Sequence, residues 1–236
     1  MLKFLGKGGA FDLETNSCAY FEYENELFLI DIGENTFKDV KNLLDTNSYS
    51  KVNVLITHTH ADHVNGLSTL SHYLFYVKKI RLEIHAQKAM AYSIERLMDI
   101  NGNDRDQFFI KGINSRTVFS KENGNLHYSY VKTEHVDNLD CYGILIRHKD
   151  YCIYYSGDSK TLPESIQERL SKNHTAYLTH YYQDISLIHY EGNVHMSEKV
   201  FNETVKPLIK NKDIKVFFYH NSKYSPNQEI DLGGKI

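Results

Sequence analysis

The chain has 236 residues, of which 41% are hydrophobic and 24% are charged, and its formal net charge at pH 7 is −3. This is the composition of an ordinary globular protein, and the length suits a single domain over residues 1–236. The weakly acidic balance argues against a protein that grips long nucleic acid, but it leaves room for a small phosphorylated ligand.

The predicted elements of the first half alternate between short strands and amphipathic helices. Residues 52–56 are apolar except for Asn53, a pattern that suits a buried strand. Strands are predicted at residues 2–5, 19–23, 27–32, 52–56 and 81–85. Helices are predicted at residues 36–44, from residue 64 to residue 74, and at residues 86–98.

The second half repeats this alternation. Strands are predicted at residues 126–131, 141–147, 151–156, 176–182 and 214–219, and helices at 163–170 and 195–205. Pro163 stands in the first turn of its helix, where proline is favoured. The order of the elements predicts two sheets packed in layers with helices on the outside.

Neither a membrane span nor a disulfide framework is expected. No run of 18 apolar residues occurs, and the first residues lack the apolar stretch and cleavage site of a signal peptide. The three cysteines, Cys18, Cys141 and Cys152, are odd in number and far apart, which is typical of a protein in the reducing cytoplasm.

The segment from Thr57 to His63 carries the strongest chemical signal. Four potential metal ligands, His58, His60, Asp62 and His63, fall within six residues directly after the predicted buried strand. A tight turn at that point lets imidazoles and a carboxylate converge, and this ligand set suits zinc and other transition metals. A lone histidine there would indicate an ordinary surface loop, whereas this spacing indicates a metal site.

These residues and four further segments resemble the metallo-β-lactamase superfamily. Residues 57–63 match its HxHxDH signature, and the other segments follow in the family's order. They are Leu29-Ile30-Asp31-Ile32-Gly33, Glu134-His135, Tyr155-Ser156-Gly157-Asp158-Ser159 and Phe217-Phe218-Tyr219-His220-Asn221-Ser222. The resemblance implies an α+β fold, the four-layer αβ/βα sandwich, and an Asp31 that supports the metal loop through hydrogen bonds.

The resemblance also implies a dinuclear metal centre. One ion would take His58, His60 and His135, the other would take Asp62, His63 and His220, and Asp158 would bridge them. Zinc is the expected metal, and manganese or iron also suits these ligands. His180 is an alternative to His220 as the last ligand, because it too follows a strand-like segment.

Two features resemble the phosphodiesterase branch that includes ribonuclease Z. The Ser-Gly-Asp segment suggests a bridging aspartate, and His195 in Gly192-Asn193-Val194-His195-Met196-Ser197 matches an extra histidine of that branch. The glutamate that partners this histidine in ribonuclease Z is replaced by Tyr181, and Asp184 is the candidate substitute. Ribonuclease Z carries a tRNA-binding arm between the third histidine and the bridging aspartate, and here a predicted hairpin fills that short interval.

The favoured hypothesis is therefore a phosphodiesterase that acts on a cyclic nucleotide or short oligonucleotide through a metal-bound hydroxide. Asp62 would orient the hydroxide or accept its proton, and His195, with Asp184, would assist the leaving group. The alternatives are a hydrolase of thioesters, lactones or other carbonyl compounds, and a non-catalytic protein that binds or senses nucleotides. The ribonuclease Z resemblance also suggests a homodimer.

Overall fold

The computed structural model describes residues 1–114, 119–120, 125–171, 178–189, 191–210, 212–221 and 229–232. It divides into two compact units, residues 2–114 and residues 115–236 together with Met1. The assignment of residues 1–236 to a single domain therefore stays a prediction. No helix in these described ranges is long and apolar enough to cross a membrane. The three cysteines are buried thiols.

The first unit, residues 2–114, contains a six-stranded sheet with strand order β1-β2-β3-β4-β5-β6. Its strands are β1 Lys3–Gly6, β2 Cys18–Tyr23, β3 Glu26–Ile30, β4 Lys51–Leu55, β5 Leu82–Gln87 and β6 Phe108–Ile113. The first three strands pair antiparallel, and β3 to β6 pair parallel. Residues 27–30 of β3 are fully buried, as expected for a strand of a parallel sheet that is covered on both faces.

The helices of this unit are α1 Phe37–Thr46, α2 Ala61–Val64, α3 Leu67–Tyr73 and α4 Lys88–Ile100, with a π-helical turn at Leu74–Lys78. The sequence predicted one helix from residue 64 to residue 74, but α2 and α3 are separate. The break follows from Gly66, whose N–H donates to the carbonyl of Ile32 at 3.0 Å instead of continuing the helical ladder. Any Cβ at Gly66 would lie 2.6 Å from the carbonyl oxygen of Gly33.

The second unit contains a sheet with strand order β12-β11-β10-β9-β8-β7. Its strands are β7 Phe119–Ser120, β8 Leu126–Thr133, β9 Cys141–His148, β10 Tyr151–Tyr155, β11 His180–Asp184 and β12 Lys215–Tyr219, and its helices are α5 Glu164–Ser171, α6 Glu198–Thr204 and α7 Lys206–Ile209. Strands β7 to β10 pair antiparallel, and β10 to β12 pair parallel. Ile166 of α5 and Phe201 of α6 belong to the same buried core as Tyr154, Tyr181 and Phe218 of the sheet.

Most predicted elements match the observed ones to within three residues. The helix predicted at 195–205 begins later, at Glu198, because the hydroxyl of Ser197 caps it by accepting a hydrogen bond from the Val200 N–H. His195 therefore precedes the helix. Strand β11 begins at His180, and residues 176–177 of the predicted strand lie outside the described residues. Strands β6 and β7 were not predicted, and β6 lacks a clear apolar alternation.

The parallel strands end at the residues that carry the chemistry. Strand β3 leads into Asp31, β4 into the segment from Thr57 to His63, β10 into Asp158, and β12 into His220. The carboxyl ends of parallel strands lie at one edge of a sheet, which is where α/β proteins commonly bind their ligands. The hairpin of β9 and β10 fills the interval between His135 and Asp158, as predicted.

Candidate functional site

In the first unit, the candidate functional residues lie on residues 57–63, here called the histidine loop. The side chain of Asp31 forms hydrogen bonds with this loop. Asp31 is fully buried and has a left-handed backbone, with φ of 60°. Its carboxylate accepts hydrogen bonds from the Thr57 N–H at 2.8 Å, the Thr57 hydroxyl at 2.7 Å and His63 Nδ1 at 2.9 Å. Burial raises the pKa of Asp31, although His63 and these hydrogen bonds oppose the rise. The predicted supporting role of Asp31 is confirmed by these contacts.

These contacts decide which ring nitrogens of the loop are available for a metal. His63 gives its Nδ1 hydrogen to Asp31, so its Nε2 carries the lone pair, 3.3 Å from Asp62 Oδ2. His58 Nε2 and His60 Nδ1 face each other at 3.0 Å. Two imidazole nitrogens can face each other at that distance only across a shared proton or a shared cation. Imidazole nitrogens and a carboxylate, the donors of this loop, are the groups that transition-metal ions accept in proteins.

Gly33 fixes the backbone behind the histidine loop. A Cβ at this position would lie 2.2 Å from the carbonyl oxygen of Asp62 and 2.4 Å from Asn16 Oδ1, so no other residue fits without a shift of the backbone. The adjacent Ile32 N–H donates to the carbonyl of His63 at 2.9 Å. The segment after β3 is thus packed directly against the ligand-bearing loop.

In the second unit, the structure brings together five of the predicted residues, here called the aspartate cluster: His135, Asp158, Asp184, His195 and His220. Asp158 Oδ2 lies 3.6 Å from His135 Nε2, 3.6 Å from His220 Nε2 and 3.8 Å from His195 Nδ1. Asp158, Asp184, His195 and His220 each offer a potential ligand atom, and these atoms lie within 4.8 Å of one another. The cluster has the chemistry of a metal site, since its donors are imidazole and carboxylate groups.

Asp184 is fully buried, forms a hydrogen bond with one of these histidines and makes an ion-pair contact with a second. Its Oδ2 lies 2.7 Å from His195 Nδ1, and its Oδ1 lies 3.2 Å from His220 Nδ1. Burial would raise the pKa of Asp184, but the charges of His195 and His220 outweigh it, so the pKa is lowered. Burial opposes the charge on His195 too, yet the carboxylate of Asp184 raises the pKa of that imidazole. The predicted pairing of Asp184 with His195 is confirmed, and their catalytic roles stay predictions.

The two candidates for the last ligand lie in different surroundings. His220 belongs to the aspartate cluster and has a left-handed backbone, with φ of 68°. His180 is stacked with Tyr182 and Phe217, with ring planes within 12° of parallel. Burial, with a smaller effect of nearby positive charges, lowers the pKa of His180 to about 4. The geometry therefore favours His220, and its ligand role stays a prediction.

Sequence reasoning missed the groups that orient the aspartate cluster. The carbonyl oxygen of Val194 accepts a hydrogen bond from His135 Nδ1 at 2.8 Å, which leaves Nε2 directed at Asp158. Ser156 and Tyr219 contact each other beside Gly157, which precedes Asp158. No sequence pattern marks a carbonyl acceptor, but Ser156 and Tyr219 are each within two residues of a predicted ligand.

The family described as "Anti-Pycsar protein Apyc1" matches residues 1–233 of this chain. Among curated proteins, the chain is similar to ribonuclease Z of Methanococcus maripaludis strain C7, with 28% identity over 108 residues. That alignment covers 44% of this chain and 34% of the relative. The chain spans between about a third and about half of the length of the curated relatives that it matches.

Two solved structures are similar to this chain over most of its length. The metallo-β-lactamase fold protein YhfI from Bacillus subtilis has a TM-score of 0.72 at 15% identity, covering 95% of this chain and 86% of that protein. The short form of human tRNase Z has a TM-score of 0.69 at 18% identity, covering 98% and 99%. The chain has the metallo-β-lactamase fold, as the motifs predicted.

Proposed function

This chain belongs to the family of the anti-Pycsar protein Apyc1, and on that premise we propose that it is a metal-dependent phosphodiesterase that hydrolyses cyclic nucleotides. The family is one of cyclic-nucleotide-degrading proteins. A cyclic nucleotide is also the smaller of the two substrates that the sequence suggested, and it requires no arm for gripping a long polynucleotide. The hydrogen bond between His195 and Asp184, beside Asp158, is the observation that carries the proposal.

We propose that the histidine loop and the aspartate cluster serve one pair of divalent ions. His58, His60 and His135 would hold one ion, Asp62, His63 and His220 the other, and Asp158 would bridge both. Zinc is the proposed metal, with manganese and iron as the alternatives that the same ligands accept. When bound, such a pair supplies an activated water and neutralises charge on the phosphate.

In this proposal His195 acts on the leaving group. Its side chain is 25% exposed, so a substrate can reach it, whereas Asp184 is fully buried behind it. The carboxylate of Asp184 raises the pKa of His195 against the effect of burial, which favours the protonated imidazole. With Nδ1–H bound to Asp184, Nε2–H donates its proton to the alkoxide oxygen as the bond from phosphorus to that oxygen breaks.

Asp62 has a separate role in this proposal. Its carboxylate is nearly buried and lies beside His63 Nε2. A carboxylate at that position orients the attacking water and accepts its proton as the new bond to phosphorus forms. The proton taken from the water and the proton given to the leaving oxygen thus pass through different residues, Asp62 and His195.

A substrate panel tests the proposal. Purified protein is analysed for metal content, loaded with zinc, manganese or iron, and assayed with 3′,5′-cyclic nucleotides of four bases, bis-p-nitrophenyl phosphate, a thioester and a lactone. We expect hydrolysis of the phosphodiesters and none of the carbonyl compounds. Preference for the thioester or lactone would overturn the proposal in favour of a carbonyl hydrolase. Tight nucleotide binding without turnover would instead indicate a sensing protein.

Two further expectations accompany this function. A homodimer is expected, and sedimentation velocity of the metal-loaded protein tests it. A cytoplasmic location is expected from the reduced state of the three buried cysteines. Retention of the protein in the cytoplasmic fraction of its source cells tests that expectation.

A further inference from the structure

Two turns in the second unit carry candidate metal ligands, His220 in one and Asp158 in the other. Tyr219 directly precedes His220, and its side chain contacts the turn that carries Asp158. Strand β12 ends at Tyr219, and His220 follows with a left-handed backbone. Strand β10 leads through Ser156 to Gly157, which is also left-handed with φ of 59°, and then to Asp158. Glycine adopts this backbone conformation freely, whereas a residue with a side chain, such as His220, persists in it only when its surroundings fix it.

The side chain of Tyr219 provides such a fixed contact. Its hydroxyl donates to the carbonyl oxygen of Gly157 at 2.8 Å and lies 2.9 Å from Ser156 Oγ. Ser156 Oγ is itself 2.7 Å from the Gly157 carbonyl, so the three oxygens form a closed triangle. Ser156 Oγ also accepts a hydrogen bond from the Asp184 N–H at 2.9 Å. The triangle therefore connects the Asp158 turn to Asp184, which contacts both His195 and His220.

Packing leaves the Tyr219 side chain little freedom. The residue is fully buried, and its ring stacks on Tyr155 with centroids 4.6 Å apart and planes 15° apart. Tyr155 is the last residue of β10, directly before Ser156. The ring is thus fixed against the strand whose next residues form the Asp158 turn.

We propose that Tyr219 is a positioning residue for the ligand candidates Asp158 and His220, because its backbone precedes His220 and its hydroxyl fixes the carbonyl that precedes Asp158. The inference rests on the proposed function, in which both residues bind metal. Tyr219 does not touch the substrate in this scheme. It acts by keeping the two turns in register, so that the carboxylate and the imidazole meet the same ion.

Comparison of two phenylalanine variants tests this role. Tyr219→Phe removes the hydroxyl from the triangle and keeps the stacked ring. Tyr154→Phe is the matched control, because Tyr154 is equally buried on β10 and its hydroxyl has no hydrogen-bond partner among the described residues. Metal affinity is measured by competition with a chelator, together with kcat, KM and the Tm of the metal-free protein.

We expect Tyr219→Phe to weaken metal binding by roughly 10-fold to 100-fold, the usual effect of losing a group that orients ligands. At saturating metal, kcat should fall while KM stays near the wild-type value. The metal-free Tm of Tyr219→Phe should lie below that of Tyr154→Phe, since only the Tyr219 hydroxyl has hydrogen bonds to lose. Wild-type metal affinity and kcat in Tyr219→Phe would overturn the inference, as would equal losses of metal affinity in both variants.

Ser156→Ala provides a second variant if Tyr219→Phe does not fold, because it removes another corner of the triangle and keeps the tyrosine in the core. Its loss of metal affinity should not add to that of Tyr219→Phe in a double-mutant cycle, since both changes act on one network. Full additivity would contradict a shared role. A wild-type protein that binds no metal and cleaves no phosphodiester would instead reject the proposed function itself.

Discussion

His195 Nδ1 lies 2.7 Å from Asp184 Oδ2, and the same carboxylate reaches His220 Nδ1 at 3.2 Å through its other oxygen. One buried acid thus forms a hydrogen bond with a candidate proton donor and an ion-pair contact with a candidate metal ligand. Replacing either histidine should therefore have a different kinetic effect from replacing the acid.

His195→Gln removes the proton donor and leaves the proposed ligands in place. We expect kcat on a cyclic nucleotide to fall by roughly 10²-fold to 10⁴-fold, the usual contribution of a general acid, with metal affinity near the wild-type value. His189→Gln is the control, because His189 lies in the same segment and contacts Ser197 instead of the aspartate cluster. A substrate with a p-nitrophenolate leaving group needs little protonation and should lose less rate. Equal losses on both substrates would contradict the assignment.

Asp184→Asn should impair both rate and metal binding. The amide is uncharged, so it cannot hold the protonated form of His195, and it orients His220 less firmly. We expect kcat to fall and metal affinity to weaken by roughly 10-fold to 100-fold, measured by chelator competition and steady-state kinetics. A variant that loses rate but binds metal as tightly as the wild-type protein would show that His220 does not depend on this carboxylate.

Gly33→Ala should disturb the histidine loop, because the added Cβ would collide with the carbonyl oxygen of Asp62. Its Cβ would meet backbone and a buried side chain, so we expect a loss of about 1–3 kcal/mol in the free energy of unfolding and weaker metal binding. Gly112→Ala is the matched control, because a Cβ there finds its nearest neighbour, Lys88, at 3.8 Å. Its stability should change by no more than about 0.5 kcal/mol in urea denaturation. Similar stability of the two variants would contradict the packing described for Gly33.

His180 should make unfolding sensitive to mild acid. Its pKa in the folded protein is lowered to about 4, whereas an unfolded histidine has a pKa of about 6.5. The unfolded chain therefore takes up the proton first, and the stability that His180 contributes above pH 6.5 is lost as the pH falls toward about 4. His180→Phe retains the stack on Phe217 and cannot titrate. Its free energy of unfolding, followed by urea denaturation, should fall less than that of the wild-type protein over this range. An unchanged pH dependence would contradict the burial of His180.

The sequence by itself determined the elements and the metal-binding chemistry of this protein. The apolar runs at β3, β4 and β12 are local and strong, and the four candidate ligands of the histidine loop lie within six residues of the chain. A pattern of that kind requires no knowledge of long-range contacts. Strand β6 was missed because it depends on a long-range contact. Its Phe-Phe-Ile-Lys-Gly-Ile segment becomes a strand through pairing with β5 and carries no clear alternation of its own.

Only the tertiary structure decided how the side chains are oriented. The sequence favoured His220 over His180 because His220 follows the last apolar strand, but only the structure shows which imidazole lies beside Asp158. The nitrogen that each histidine presents is set by a distant partner, Asp31 for His63 and the Val194 carbonyl for His135. Such partners are separated by tens of residues, and a hydrogen bond to a carbonyl leaves no mark in the sequence. The fold supplies them, because it brings the ends of separate strands to the same edge of each sheet.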